Sequence, residues 1–223
     1  NEQSALLYFE KYFPEFKDQP QWLDITKGMF VEIMKKNINA DGSYIESTSG
    51  YTNSAFEQFF TFRKTLMEMG EDPGDEYNER LLRAAVYNAI LVLGNGRGLA
   101  WGDANSGSKG AGIYEEFAKL FDNEKIFTNE EIKEIVELNN MDEFRYIDNY
   151  ARKGDAPSWT SIHYPDSKRV LMRSDWSKNS VSLFTEVNGL RQHGHADDNA
   201  IILAAFGRTL LTDAGRFSYQ RGG

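Results

Sequence analysis

The chain has 223 residues, 40% of them hydrophobic and 13% aromatic, which is enough apolar material for one large domain or two small ones. It has no cysteine, so disulfides, thiolate metal sites and a cysteine nucleophile are excluded. The formal net charge of −9 argues against a broad nucleic-acid surface, and no apolar run approaches the length of a membrane span.

The first two thirds of the chain predict successive helices. Apolar residues recur at helical spacing in residues 3–13, 21–37, 53–70 and 78–96, and shorter helical patterns follow in residues 112–121, 128–140 and 142–152. Residues 78–96 are apolar on nearly all sides, which is typical of a buried helix. Thr128 and Glu131 match a capping box, which marks the start of the predicted helix at residues 128–140.

The periodicity changes from helical to strand-like at Gly154. The segments that follow are short, rich in β-branched and aromatic residues and separated by turn residues: WTSIHY, RVLMRSDW, SVSLFTEV, NAIILAAF and RTLLTDA. Helices followed by consecutive strands predict an α+β fold rather than an alternating βα sheet. We therefore expect a helical domain at residues 1–153 and a β domain at residues 154–223.

Two of the chain's three histidines, His193 and His195, are separated by a single glycine. On extended backbone, side chains at i and i+2 point the same way, so both imidazoles can face one site. Neutral imidazoles with a carboxylate suit zinc, and His195 could meet Asp213 on an adjacent strand. Two alternatives stay open: a hydrogen-bonded pair without metal, or an Asp213 that simply caps a turn before Gly215.

Residues 40–56 form a polar loop rich in glycine and serine between two predicted helices, and Tyr51 lies just before the second helix. A tyrosine in a loop usually packs against its neighbours. At a helix N-terminus, however, the helix dipole favours the phenolate, which would lower a phenol pKa from its ordinary value of about 10. Tyr51 is therefore a candidate acid or base.

Residues 93–110 are glycine-rich and lack apolar periodicity. They are not a phosphate-binding loop, because the terminal Gly-Lys-Ser/Thr is missing and no predicted strand precedes them. Two interpretations remain: a plain connection between helices, or a loop lining a cleft in which Trp101 and Asp103 are available to sugars. The chain also has no GxSxG motif, so serine-based acyl transfer has no support.

Taken together, these motifs resemble the heparinase II/III-like polysaccharide lyases. The matching segments, in chain order, are FPEF (13–16), DGSYIESTSGY (41–51), WGD (101–103), VLMRSDW (170–176), HGHADDNAIILAAFGRTLLTDAG (193–215) and FSY (217–219). The resemblance implies an incomplete (α/α) toroid followed by an antiparallel β-sandwich. This sequence would hold only the start of the β-sandwich.

The resemblance also implies β-elimination on a uronic-acid polysaccharide, either a glycosaminoglycan such as heparan sulfate or alginate. Such a lyase must neutralise the uronate carboxylate, remove the C5 proton and protonate the departing O4 oxygen. By resemblance, Tyr51 and His193 are the acid/base pair, and Trp101 is a candidate substrate contact. His195 and Asp213 correspond to two ligands of a divalent metal, zinc in many relatives, which mainly holds the β-domain site together.

Several family features are expected outside this sequence. These are the carboxylate-neutralising asparagine, a third metal-ligand histidine beyond Gly223, and a signal peptide upstream of Asn1. We therefore expect an internal piece of a longer lyase, periplasmic or secreted because its substrate is a polymer. Thr52 departs from the family, which often has histidine after the catalytic tyrosine.

Two other functions share this scaffold. A glycoside hydrolase would need two carboxylates across the cleft, which the Tyr51 and His193 pair argues against. A non-catalytic carbohydrate-binding relative would need neither of these residues. The sequence does not identify the polymer, since candidate sulfate-binding residues also fit ordinary surface or packing roles: Arg63, Arg97, Arg173 and Arg191.

Overall fold

Helices form the first part of the chain and strands the second. The computed structural model describes residues 2–16, 19–46, 48–104, 116–117, 141–148, 154–187 and 199–213. Its helices are α1 (Glu2–Tyr12), α2 (Gln19–Asn37), α3 (Ser49–Glu68), α4 (Asp75–Ile90) and α5 (Met141–Asp148). Its strands are β1 (Ile162–Tyr164), β2 (Arg169–Arg173), β3 (Ser182–Glu186), β4 (Ile201–Ala205) and β5 (Arg208–Leu211). The predicted order of helices followed by strands is confirmed.

Some sequence predictions concern residues outside these ranges. The predicted helix at residues 128–140, with its capping box, lies outside the described residues, and residues 112–121 are described only at 116–117. Within the described ranges, no helix combines the length and the apolar character needed to cross a bilayer.

Aromatic rings fill the space between the helices. The ring of Phe62 in α3 stacks on that of Phe30 in α2, with 3.7 Å between centroids. Tyr77 of α4 is 1% exposed, and its hydroxyl donates a hydrogen bond of 2.8 Å to the backbone carbonyl of Phe59. The polar end of this buried ring is therefore satisfied. Through these contacts α2, α3 and α4 share one core.

Helix α4 is buried on nearly all sides, as its sequence predicted. Several of its residues are 0% exposed: Leu81, Leu82, Ala85, Tyr87 and Ile90. The helix ends at Ile90, earlier than the predicted end at residue 96. Leu91 leaves helical geometry at φ −75° and ψ 56°, and Val92 pairs with Gly98 in an isolated bridge. The predicted boundary was wrong because the chain after Ile90 pairs with residues a few positions further on, in a bridge that competes with the helix.

The five described strands form one antiparallel sheet in the order β1-β2-β3-β4-β5. One face packs on the helices, and its buried residues lie side by side in register: Ile162, Leu171, Phe184 and Ile202. The opposite face is also apolar, with a second row in register: Met172, Leu183, Leu203 and Leu211. Met172 is 43% exposed and Leu211 is 53% exposed, so the second face is only partly covered.

The turn that follows α2 connects the helices to the sheet. The backbone N–H of Asp41 donates to Oδ2 of Asp166 at 3.1 Å, and the N–H of Asp166 donates to Oδ2 of Asp41 at 3.0 Å. The other oxygen of Asp41 accepts from the N–H of Ser43 at 2.9 Å. The Asp-Gly-Ser motif therefore shapes a turn and attaches it to the connection between β1 and β2.

Candidate active site

Tyr51 lies in the first turn of α3. Thr48 caps this helix, with its side-chain oxygen accepting from the backbone N–H of Tyr51 at 3.3 Å. The helix therefore begins at Ser49, before the tyrosine, and not after it as predicted. The Tyr51 side chain is 38% exposed, so it remains accessible at a helix N-terminus.

A segment of the glycine-rich loop is attached to the start of this helix. The N–H of Ser49 donates to the carbonyl of Trp101 at 3.4 Å, and the N–H of Trp101 donates to the hydroxyl of Ser49 at 3.3 Å. A Cβ on Gly50 would lie 3.7 Å from the carbonyl of Asp103 and 3.8 Å from the side chain of Ala104. The backbone of this segment thus follows the first turn of α3 closely.

Trp101 lies in the core, contrary to the expectation that it would be available to sugars. It is 1% exposed. Its ring centroid is 4.9 Å from that of Phe184 on β3, and the guanidinium carbon of Arg169 lies 4.9 Å from the indole centroid. A sugar cannot stack on a ring enclosed in this way, and the role of the indole is to pack α3 and its loop on the sheet. Asp103 is also buried.

Arg169, at the start of β2, is part of a buried polar network. Its Nε donates to Oε2 of Glu186 on β3 at 2.9 Å, and its Nη1 donates to the hydroxyl of Tyr87 in α4. The side chains of Arg169 and Glu186 are 2% and 4% exposed. Burial alone would lower the pKa of Arg169, but Tyr87 and Glu186 outweigh burial and raise it. The guanidinium therefore stays charged inside the protein.

The segment that carries His193 and His195 connects β3 to β4, and both histidines lie outside the described residues. The residues at its two ends are bonded to the sheet. The carbonyl of Glu186 accepts from the N–H of Asn199 at 2.9 Å, and the N–H of Val187 donates to the carbonyl of Lys168 at 2.9 Å. The base of this connection is therefore fixed by the same residue that binds Arg169.

Asp213 follows β5 at the same end of the sheet. Leu211 pairs with Leu203, and β4 begins two residues earlier at Ile201. The carboxylate is thus carried to the end at which the chain enters β4 from the His195 segment. Among the described residues, no group of three or more metal-ligating side chains is assembled. A site made of His195 and Asp213 depends on a residue outside the described ranges.

A cavity of about 220 Å³ lies beside the same end of the sheet, between the 93–100 loop and residues 209–212. The amide of Asn95 donates to the hydroxyl of Thr209 at 3.1 Å, which attaches the loop to β5. Arg97 lines the cavity and is exposed. This places a cation at the surface beside the candidate site.

Two other candidate sulfate-binding arginines have structural partners. Arg63 is 5% exposed and pairs with Asp72 at 3.1 Å. Arg173 is 7% exposed and donates to the carbonyl of Ile90 at 2.8 Å. Arg191 lies outside the described residues. Of the three described arginines in this set, Arg97 has the position that suits a ligand.

Arg169 and Glu186 were not among the residues predicted from the sequence. A signal was present, because Arg169 alternates with Leu171, and Glu186 with Phe184, so both charges fall on the apolar face of their strands. Charges on a buried face need partners, and this requirement would have predicted the pair. The contact between Ser49 and Trp101 joins residues 52 positions apart and has no local sequence signal.

Sequence comparison relates the chain to a known group of proteins. The family model described as Heparinase II/III N-terminus matches residues 1–133. The heparin-sulfate lyase of Pedobacter heparinus is 22% identical over 210 residues, which are 93% of this chain and 30% of that protein.

Solved structures share the fold. The heparan sulfate lyase HepC from Pedobacter heparinus matches with a TM-score of 0.75 at 21% identity, over 99% of this chain and 33% of that chain. A heparinase III gene product matches with a TM-score of 0.76 at 18% identity, over 100% of this chain and 33% of that chain. The chain therefore spans about a third of the length of these relatives.

Proposed function

The chain belongs to the heparinase II/III family, and on that premise we propose that it is part of a lyase that cleaves a uronic-acid polysaccharide by β-elimination. The observation that carries the proposal lies around Tyr51. The start of its helix is bonded to Trp101, which packs against Arg169 at the end of the sheet where the His193 segment begins and ends. An accessible phenol and a histidine-bearing connection thus belong to neighbouring parts of one framework.

The proposed reaction uses the two side chains as proton carriers. One removes the C5 proton of the uronate, and the other donates a proton to the departing O4 oxygen. Imidazole, with an ordinary pKa of about 6.5, suits proton transfer at neutral pH, and Tyr51 offers a phenolic O–H at a partly exposed position. Arg97, exposed beside the neighbouring cavity, is a candidate contact for an anionic group of the polymer.

The proposal includes a divalent metal, zinc, held by His195 and Asp213 with further ligands. Imidazole and carboxylate are donors that zinc accepts, and Asp213 follows β5 at the end of the sheet where the His195 segment leads into β4. When bound, the metal would supply a structural cross-link between these two segments. We assign it no step in the reaction.

We further propose that the full-length protein is an incomplete (α/α) toroid followed by a β-sandwich. Support for a sandwich comes from the sheet, because apolar rows lie on both of its faces and one packs on the helices.

For the substrate we propose a glycosaminoglycan such as heparan sulfate, because the relatives are heparin-sulfate and heparan sulfate lyases. Alginate is the alternative. A polymeric substrate of this kind favours a periplasmic or secreted enzyme.

The test is ultraviolet absorbance of the unsaturated uronate product. The full-length protein is assayed on heparan sulfate, heparin, chondroitin sulfate, hyaluronan and alginate. We expect absorbance to rise on one polymer class. Tyr51→Phe and His193→Ala should each lower kcat by about 10²-fold or more, because each removes an acid/base group. Tyr8→Phe is the matched control, since Tyr8 is 40% exposed on a different helix, and it should keep full activity.

Other outcomes would identify the alternatives. New reducing ends without unsaturated product would indicate a hydrolase. Polymer binding without cleavage, by a folded protein with its metal content intact, would indicate a carbohydrate-binding relative. Wild-type rates in Tyr51→Phe would contradict the role given to the phenol.

A further inference from the structure

We propose that Arg169 is a positioning residue for the elimination reaction, because it joins the element that carries Tyr51 to the base of the segment that carries His193. This inference rests on the proposed function. Arg169 is not a catalytic residue, since it is 2% exposed. It acts through the groups it contacts, and each contact leads to a different part of the candidate site.

The first contact leads to the connection between β3 and β4, the segment that carries His193. Arg169 binds the carboxylate of Glu186 at 2.9 Å, and the backbone carbonyl of Glu186 accepts from Asn199, the first described residue after that segment. The backbone carbonyl of Lys168, the neighbour of Arg169, accepts from the N–H of Val187. Both ends of the connection are therefore held by Glu186, Val187 and the start of β2.

The second contact reaches the tyrosine helix. The guanidinium carbon of Arg169 lies 4.9 Å from the centroid of the Trp101 ring, and the backbone of Trp101 exchanges two hydrogen bonds with Ser49. Ser49 is the first residue of α3, two positions before Tyr51. A third contact, from Nη1 to the hydroxyl of Tyr87, fixes the guanidinium against α4. One planar group thus contacts three elements at once.

The buried charge makes this arrangement rigid. A guanidinium and a carboxylate that are almost fully excluded from water lose their interaction sharply if either one moves, because water cannot replace the partner. Elimination requires two proton carriers on the same sugar ring, and a displacement of about 1 Å can cost on the order of 10²-fold in rate. A rigid connection between the helix that carries Tyr51 and the base of the His193 segment therefore benefits the proposed reaction as well as the fold.

The test compares matched substitutions in the full-length enzyme. Arg169→Lys keeps the charge but loses the planar fork that binds Glu186 and Tyr87 while stacking on Trp101. We expect kcat per folded enzyme to fall at least about tenfold with KM changed less than about threefold, because misplacement affects the reaction more than polymer binding. Arg169→Met should lower kcat further. Glu186→Gln tests the same ion pair by changing the carboxylate instead of the guanidinium.

Arg173→Lys is the control. Arg173 lies on the same strand and the same face, is 7% exposed and stacks on Trp176 at 4.6 Å, but its partners are Ile90 and Val92. Arg173→Lys should lower the melting temperature and leave kcat per folded enzyme within about threefold of the wild-type value, as expected for a packing residue. If Arg169→Lys does not fold, Glu186→Gln provides the same comparison.

The two proposals fail in different ways. If no uronate polymer yields unsaturated product from the wild-type enzyme, the proposed function fails. If the wild type is active and Tyr51→Phe is not, but folded Arg169→Lys or Glu186→Gln keeps wild-type kcat, the positioning role is overturned and the pair is structural. Equal losses of kcat in Arg169→Lys and Arg173→Lys would overturn it as well.

Discussion

At the scale of single residues, Glu10 shows how burial changes a carboxyl group. It is 0% exposed, and its Oε1 accepts from the hydroxyl of Thr26 at 2.9 Å. Its Oε2 has no hydrogen-bond partner among the residues that the structure describes. Burial raises the pKa of Glu10, and the bond from Thr26 opposes that shift only in part. The folded state thus holds this proton more tightly than the unfolded chain does.

The substitution Glu10→Gln should raise the free energy of unfolding of the full-length protein at pH 7. The amide keeps an acceptor for Thr26 and removes a charge that burial disfavours. Because the folded-state pKa is raised, the stability that protonated Glu10 contributes is present below its unfolded pKa and is lost as pH rises through the folded pKa. The gain should therefore shrink towards pH 4, as measured by thermal unfolding at both pH values.

Glu15→Gln is the control for this prediction, because Glu15 is exposed. It should leave the melting temperature nearly unchanged at both pH values. A Glu10→Gln variant that is less stable than the wild type at pH 7 would contradict the prediction and show that the carboxylate is needed where it is buried.

At the scale of elements, the turn between α2 and α3 depends on Gly42. Its φ is +86°, and a Cβ there would lie 2.4 Å from the backbone carbonyl oxygen of Arg83. Gly42→Ala should lower the free energy of unfolding by about 2 kcal/mol or more, because it adds left-handed strain and a backbone clash. Chemical denaturation of the full-length protein measures this change.

Gly28→Ala is the opposite case. Gly28 lies inside α2, and a Cβ there would have nothing within 4 Å. This substitution should stabilise the protein by about 0.5–1 kcal/mol, because alanine favours the helix more than glycine does. Equal stabilities for the two variants would mean that the turn rearranges to accept a side chain.

Elements were predictable where the information is local. The helical repeat predicted α2 and the burial of α4, and short β-branched segments predicted β2, β3, β4 and β5. The boundaries were wrong where a cap or a short-range bridge decides them, as at Thr48 before α3 and at Val92, which pairs with Gly98. Apolar periodicity does not report either feature.

The candidate site, too, was predictable from the sequence only in part. Tyr51 and Asp213 were identified from motifs, and their roles remain predictions. The burial of Trp101 depends on Phe184 and Arg169, which are more than 60 residues away in the sequence. A tryptophan beside glycines looks the same in sequence whether it faces a sugar or the core, so its location could only be found in three dimensions.

At the scale of the whole molecule, the sheet has two apolar faces but packs on helices with only one. We expect a second layer of the full-length protein to cover the row that contains Leu203. Leu203→Glu should then lower the free energy of unfolding by about 2 kcal/mol or more, because it would bury an unpaired charge. Thermal and chemical unfolding of the full-length protein provide the measurement.

Phe206→Asn is the matched control. Phe206 is 79% exposed in the turn between β4 and β5, and its φ of 54° is one that asparagine adopts readily. This variant should be as stable as the wild type. A Leu203→Glu variant with unchanged stability would show that the second face stays in water.

The hydrogen bond between Glu186 and Asn199 has a consequence for how this family can diversify. It closes the connection between β3 and β4 at its base, while the register of the two strands is set by the pairs from Ser182 with Ala204 to Thr185 with Ile201. The length of the connection is therefore independent of the register. Doubling a flexible loop costs only about 0.6 kcal/mol in closure entropy. Insertions and deletions between these two anchors would therefore leave the strand pairing, and with it the contact between Arg169 and Glu186, unchanged.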